Sequence, residues 1–162
     1  MALPLRFLFS YGLVIWAFRL KPHPRALEKF GIRVVAVENY GTWNNQFIVY
    51  VALELLNKHD REKLELVKKH IRIIFIYPTT KDGTTPFFYM GAGVCTLDSR
   101  IFPAKMSRGL RITNVIGWLV YEATRVRLAG KLGIYLPTSK EVENVCQEKK
   151  QKTIQKMSHE SA

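Results

Sequence analysis

The distribution of apolar and polar positions divides this chain into a long apolar opening, a middle of short mixed segments and two long closing helices. Phe7–Phe18 is apolar except for Ser10, Tyr11 and Gly12, with Arg6 before it and Arg19, Lys21, His23 and Arg25 after it. Ala2–Leu20 has the length to cross a bilayer if Arg6 snorkels to the interface. An amphipathic or core-packing helix fits the same run, whose strictly apolar part is short for a span. No small-residue cleavage pattern precedes Lys21, which argues against a cleaved signal peptide. Pro22 and Pro24 close the segment as a linker or sharp turn.

Downstream, the periodicity predicts a short helix over Arg25–Phe30 ending at Gly31, where glycine takes a left-handed cap. Ile32–Val37 is β-branched and reads as a strand, and Asn39–Asn45 as a polar loop. Phe47–Lys58 reads as a helix with Phe47, Val51 and Leu55, together with Ile48 and Leu56, on its apolar face. Asp60 caps a second helix, Arg61–Lys69, that turns Leu64 and Val67 inward. Ile71–Tyr77 is the clearest strand and stops at Pro78. Lys81–Gly83 supplies a turn and Pro86–Met90 an extended stretch. Val94–Leu97 and Ile101–Phe102 flank Asp98 and Ser99 as a tight hairpin.

Asn114 can cap a helix running to Leu128, stopped by Gly130 and Gly133. Thr138 and Glu141 stand at capping-box spacing and open a last helix toward Met157. The order predicts an α+β fold: a small, mostly antiparallel sheet with two closing helices, without the alternation of a doubly wound sheet. The expected units are an apolar helix at 1–20, one domain at 21–157 and a flexible tail at 158–162.

Charge changes the picture more than composition does. With 25 Lys and Arg against 13 Asp and Glu, the net charge is +12. That excess favours polyanions, either nucleic acid or an anionic membrane surface, without choosing between them. Cys95 and Cys146 are far apart in sequence and have no metal-like spacing, so two reduced thiols are expected. If Ala2–Leu20 spans a membrane, the basic flank after Phe18 places the C-terminal domain in the cytoplasm; otherwise the chain is expected to be cytoplasmic.

Candidate chemistry concentrates in Leu119-Val120-Tyr121-Glu122-Ala123-Thr124-Arg125. Histidine at 121 and 125 would complete an H-E-x-x-H zinc motif, in which imidazoles at i and i+4 share one helical face and bind one metal. The intervening glutamate would polarise a zinc-bound water as general base. Here Glu122 keeps the base position and both imidazole positions are lost. Arg125 is a permanent cation with no lone pair to donate, so its guanidinium would supply positive charge where zinc would sit, with Glu122 as an expected partner.

In these residues the chain resembles small bacterial zincin-like proteins, some with a membrane-anchored N-terminal region, of the glutamate-ligand branch. The resemblance implies a zincin-like fold with an active-site-type helix. It also implies a third ligand position on the following helix, matched by Glu143 in Val142-Glu143-Asn144-Val145-Cys146, which would join Glu122 in pairing with Arg125, while Glu141 serves the helix cap. A strand beside the active-site helix, Ile71–Tyr77 or Val94–Phe102, would line the substrate cleft. Tyr121, Glu122, Arg125 and Glu143 then form a vestigial site without catalytic residues, metal or cofactor. The implied protein is a pseudo-peptidase that binds a protein or peptide partner, tethered at a membrane surface or free.

Other patterns carry less. His23, His59, His70 and His159 lie scattered at turns and termini as solvated or locally hydrogen-bonded residues. Gly91-Ala92-Gly93 lacks the third glycine of a dinucleotide loop. Cys95 with the distant His70 is a weak nucleophile pair beside the commoner inert buried thiol. Lys149, Lys150, Lys152 and Lys156 form either a solvated helical face or a contact for phosphate groups. A hydrolase using an unrecognised site and a basic nucleic-acid-binding protein are the alternative functions. No recognised nucleic-acid motif supports the latter.

Overall fold

The structure, a computed structural model, describes residues 27–36, 42–77, 93–98, 101–102, 105–129 and 140–160. In chain order these form strands β1 (Leu27–Lys29) and β2 (Ile32–Ala36), helices α1 (Thr42–His59) and α2 (Arg61–His70), strands β3 (Ile73–Tyr77) and β4 (Val94–Asp98), and helices α3 (Arg108–Ala129) and α4 (Lys140–Glu160). The fold is α+β, with a small mixed four-stranded sheet in the order β1-β2-β3-β4. The expected N-terminal helix, the Pro22–Pro24 linker, the 81–83 turn, the 86–90 stretch, the glycine stops at 130 and 133 and Thr138 of the capping box lie outside the described residues. Among the described residues no helix is long and apolar enough to cross a membrane.

The chain enters the sheet through a hairpin, and the helix expected over Arg25–Phe30 does not form. Leu27 pairs with Val34 and Lys29 with Ile32 in antiparallel register, leaving Phe30 and Gly31 as the turn. Both have positive φ, 54° and 75°, the condition of a two-residue turn whose twist matches the strands it joins. Gly31 therefore serves a hairpin and not a helix cap. Phe30 meets a steric cost in that region of about 1–2 kcal/mol, offset by its packing against the core.

Parallel pairing corrects the expectation of a mostly antiparallel sheet. Ile74 pairs with Val34 on one side and Cys95 on the other, both in parallel register, so only the β1–β2 pair is antiparallel. Parallel neighbours need a crossover of a dozen or more residues. Helices α1 and α2 supply it between β2 and β3, and residues 78–92 connect β3 to β4. Nor do Ile101 and Phe102 return as a hairpin strand: neither is in a strand, and Phe102 is buried in the core cluster shared with the helices.

Alternation along the strands sends Ile32, Val34, Ile74, Ile76, Cys95 and Leu97 into that cluster. Helix α1 meets it with Ile48, Val49, Ala52, Leu53 and Leu56, while Phe47, expected on the apolar face, is 44% exposed. Because α1 is apolar on most sides, its sequence fixes the helix better than its rotation. Asp60 caps α2 as expected, its Oδ1 accepting from Lys63 N at 3.2 Å, and Leu64 and Val67 are buried. Ile71 belongs to the end of α2 and not to a strand: its N–H donates to the Val67 carbonyl at 2.7 Å.

Helix α3 starts earlier than expected. Ser107 Oγ accepts from Leu110 N at 3.3 Å, whereas Asn114, taken as the cap, lies inside the helix and donates from Nδ2 to the Ile101 carbonyl at 3.1 Å. Val115, Ile116, Leu119, Val120 and Ala123 are fully buried. Helix α4 runs past Met157 through Glu160 and lies along α3. At Gly117 the two approach so closely that a Cβ would sit 2.7 Å from Ile154 Cδ1.

Candidate functional site

Tyr121 and Arg125, one helical turn apart on α3, face the first turns of α4 because residues at i and i+4 share a helical side. Tyr121 Oη donates to Glu143 Oε2 at 2.6 Å, and Gln147 Nε2 donates to Glu143 Oε1 at 2.9 Å. Both carboxylate oxygens of Glu143 thus have donors. One turn along, Arg125 Nη2 donates to Glu122 Oε2 at 2.8 Å, with 17% and 19% of the two side chains exposed. Tyr121, Glu122 and Arg125, read from the motif, and Glu143, read from the resemblance, cluster where α3 meets α4. Their pairing differs from the expectation that Glu122 and Glu143 would both bind Arg125. The phenol takes Glu143, and Arg125 acts on that carboxylate through its field.

Aromatic rings wall the cluster. Trp118 meets Tyr121 edge-on with ring centres 5.2 Å apart, Lys150 Nζ lies 3.4 Å above the Trp118 ring, and the Arg125 guanidinium is 5.8 Å from the Tyr121 ring centre. Such cation–ring contacts suit cations with little water around them. Gln147 and Trp118 escaped sequence reasoning, and Lys150 entered it only as one of the lysines of the last helix. Their positions one turn from Glu143, Tyr121 and Gln147 respectively were the available signal, visible only once the cluster's centre was known.

Electrostatics follow from this packing. Desolvation, and then the bond to Glu143, pushes the Tyr121 phenol well above its ordinary value. The hydrogen bonds from Tyr121 and Gln147, assisted by the fields of Arg125 and Lys150, hold Glu143 below the usual carboxylate range. Glu122 is raised: a fifth of its surface still meets solvent, but the protein around the carboxyl desolvates it more than Arg125 compensates. Burial also pushes up both thiols, Cys95 strongly, with Glu122 acting on Cys95 and Glu143 on Cys146 in the same direction. These thiols are buried and lack the electropositive, lowered-pKa setting of a nucleophile.

A zinc ion does not fit these donors. The guanidinium has no lone pair, and the Tyr121 phenol keeps its proton and donates it in the hydrogen bond to Glu143. Among the described residues no group of three or more His, Cys, Asp and Glu side chains is arranged to hold a metal ion. His70 departs from the expectation of a solvated or bonded ring, since burial lowers its pKa and its Nε2 has no hydrogen-bond partner. The lysines of α4 fit the solvated-face reading, with the Lys152 and Lys156 side chains 73% and 45% exposed. Lys152 pairs with Glu148, Lys156 with Asp60, and Lys150 sits on Trp118.

Comparison with protein-family models, curated proteins and solved structures finds no match to this chain, so the likeness to zincins rests on the residues of α3 and α4 alone.

Proposed function

We propose that this chain is a non-catalytic relative of the glutamate-ligand zincin peptidases, in which a fixed internal cation stands where the metal would be, and that it works by binding a protein or peptide partner. One observation carries the reading. At motif spacing on α3, Tyr121 donates to Glu143 of the next helix at 2.6 Å, and one turn along Arg125 pairs with Glu122 within α3 at 2.8 Å. A chance Y-E-x-x-R on a solvated helix would not draw a carboxylate from the following helix into the same cluster. Every group that catalysis would use is already committed. Glu122, the base position, is paired to Arg125, and the Tyr121 phenol is spent on Glu143. Such a network ties α3 to α4 as a platform for a binding partner.

Ala2–Leu20 belongs to the same proposal as a membrane tether, with the domain on the cytoplasmic side according to the basic residues that follow Phe18. Elemental analysis and a peptide-cleavage assay on the purified full chain test the reading. The expected result is zinc far below one per chain and no cleavage above background. About one zinc per chain, lost in Glu143→Ala, would overturn it, since that is the stoichiometry of a working zincin site.

A further inference from the structure

One end of the fold carries an apolar and basic surface at the point where the N-terminal segment joins the domain. Leu27, the first described residue, pairs with Val34, and the Val34 carbonyl accepts from Gln46 Nε2 of α1 at 3.3 Å. The chain therefore enters the domain beside the early turns of α1. The next residue, Phe47, is 44% exposed, and the guanidinium of Arg108, the first residue of α3, lies 5.0 Å from its ring centre. Leu110, in the same turn of α3, is 58% exposed, the highest value among the exposed large apolar residues described. Lys105 and Arg108, just before it in the chain, are exposed as well. Neither α1 nor α3 has an acidic residue in its first turn.

From this juxtaposition we infer that the end of the domain formed by Phe47, Leu110, Lys105 and Arg108 rests on an anionic lipid surface. Phe47 and Leu110 enter the headgroup boundary, and the two cations meet lipid phosphates and carboxylates. The chemistry suits an interface better than a polar partner, because two exposed large apolar side chains and two exposed cations gather at the starts of α1 and α3, and one apolar anchor alone gives only weak, reversible membrane binding. A second contact beside Ala2–Leu20 would also fix the domain's orientation. The inference rests on the tethered reading for the position of the membrane, and its test separates the two.

The full chain carrying Leu110→Cys is labelled with an environment-sensitive fluorophore; Cys95 and Cys146 are buried and react slowly. It is mixed with vesicles of phosphatidylcholine, with and without phosphatidylserine, and with a single-stranded oligonucleotide. The expected result is a blue-shifted, brighter emission with the serine-lipid vesicles that high salt diminishes. In the unlabelled chain, Phe47→Glu with Leu110→Glu weakens vesicle binding about tenfold or more, with the far-UV circular dichroism unchanged. The fluorophore at Leu110 needs no folded double variant to give its answer. A chain that sediments with vesicles while the emission stays in its aqueous position keeps the tether and overturns the surface. No vesicle binding overturns both, and a shift with the oligonucleotide alone replaces lipid with nucleic acid.

Discussion

The Tyr121 phenol and the Glu143 carboxylate, 22 residues apart in sequence, share a 2.6 Å hydrogen bond that ties α3 to α4. Its length is that of a charge-assisted O–H···O⁻ bond, and it joins two positions that a zincin site would give to metal ligands.

Removing the phenolic oxygen by Tyr121→Phe keeps the ring against Trp118 and leaves Glu143 with Gln147 as its donor. Stability at neutral pH should fall by about 1.5–3 kcal/mol, the range for hydrogen bonds to charged groups. A carboxyl whose folded pKa is depressed contributes stability that is present above its unfolded value and lost as pH falls through the folded one. The parent should therefore lose stability on the acid side through Glu143, and Tyr121→Phe should lose less. Urea denaturation across that range, with NMR titration of Glu143, checks both parts. An unchanged Glu143 titration would remove the bond from the account.

Arg125→Met strands Glu122 among desolvating neighbours. Breaking a partly buried ion pair from one side costs roughly 3 kcal/mol at neutral pH. The raised pKa of Glu122 sets the sign: such a carboxyl contributes stability that is fully present below its unfolded value and lost as pH rises through its folded one. Losing Arg125 raises that folded value further. The deficit against the parent should thus shrink at about pH 4, where Glu122 is protonated, relative to pH 7. The double variant Glu122→Gln with Arg125→Met should recover part of it at pH 7. Denaturant midpoints at the two pH values decide, and a deficit independent of pH would rule out the pair as the cause.

Gly117 sits where α3 and α4 approach most tightly among the glycines of the two helices. Gly117→Val places methyls against Ile154 and should destabilise by about 1–3 kcal/mol through overpacking. Combining it with Ile154→Ala should restore part of the loss, because the obstructing atoms are the far end of that side chain. Thermal unfolding of the two variants separates this steric account from the cost of a β-branched residue in a helix, which Ile154→Ala would not relieve.

Much of this fold is local in origin and was legible for that reason. Asp60 announces α2 because a cap is a contact three residues long, and Ile73–Ile76 can only be a buried strand. What failed depends on distant partners. The turn at Phe30 and Gly31 is stabilised by Phe30 packing on a core that no local window contains. Asp98 and Ser99 resemble hairpin residues, but β4 finds β3 in parallel through a connection of its own. Asn114 has the chemistry of a helix cap and uses it on the Ile101 carbonyl. In the site, the spacing of a zinc motif located Tyr121, Glu122 and Arg125, and Glu143 came from the resemblance to the glutamate-ligand zincins. Which carboxylate meets which donor was hidden, because that depends on the crossing of α3 and α4 at Gly117.

The central claim is that Arg125 and Tyr121 stand at two former ligand positions facing Glu143. Tyr121→His with Arg125→His puts imidazoles one turn apart on the side of α3 that faces Glu143, leaving Glu122 beside the position of the bound water. Neither single change should suffice, since Arg125 alone repels zinc and Tyr121 alone leaves one imidazole. Zinc titration by calorimetry of the folded double variant should show one site at least ~100-fold tighter than any in the parent, weakened again by Glu143→Ala. A double variant that folds and binds zinc no tighter than the parent would contradict the account.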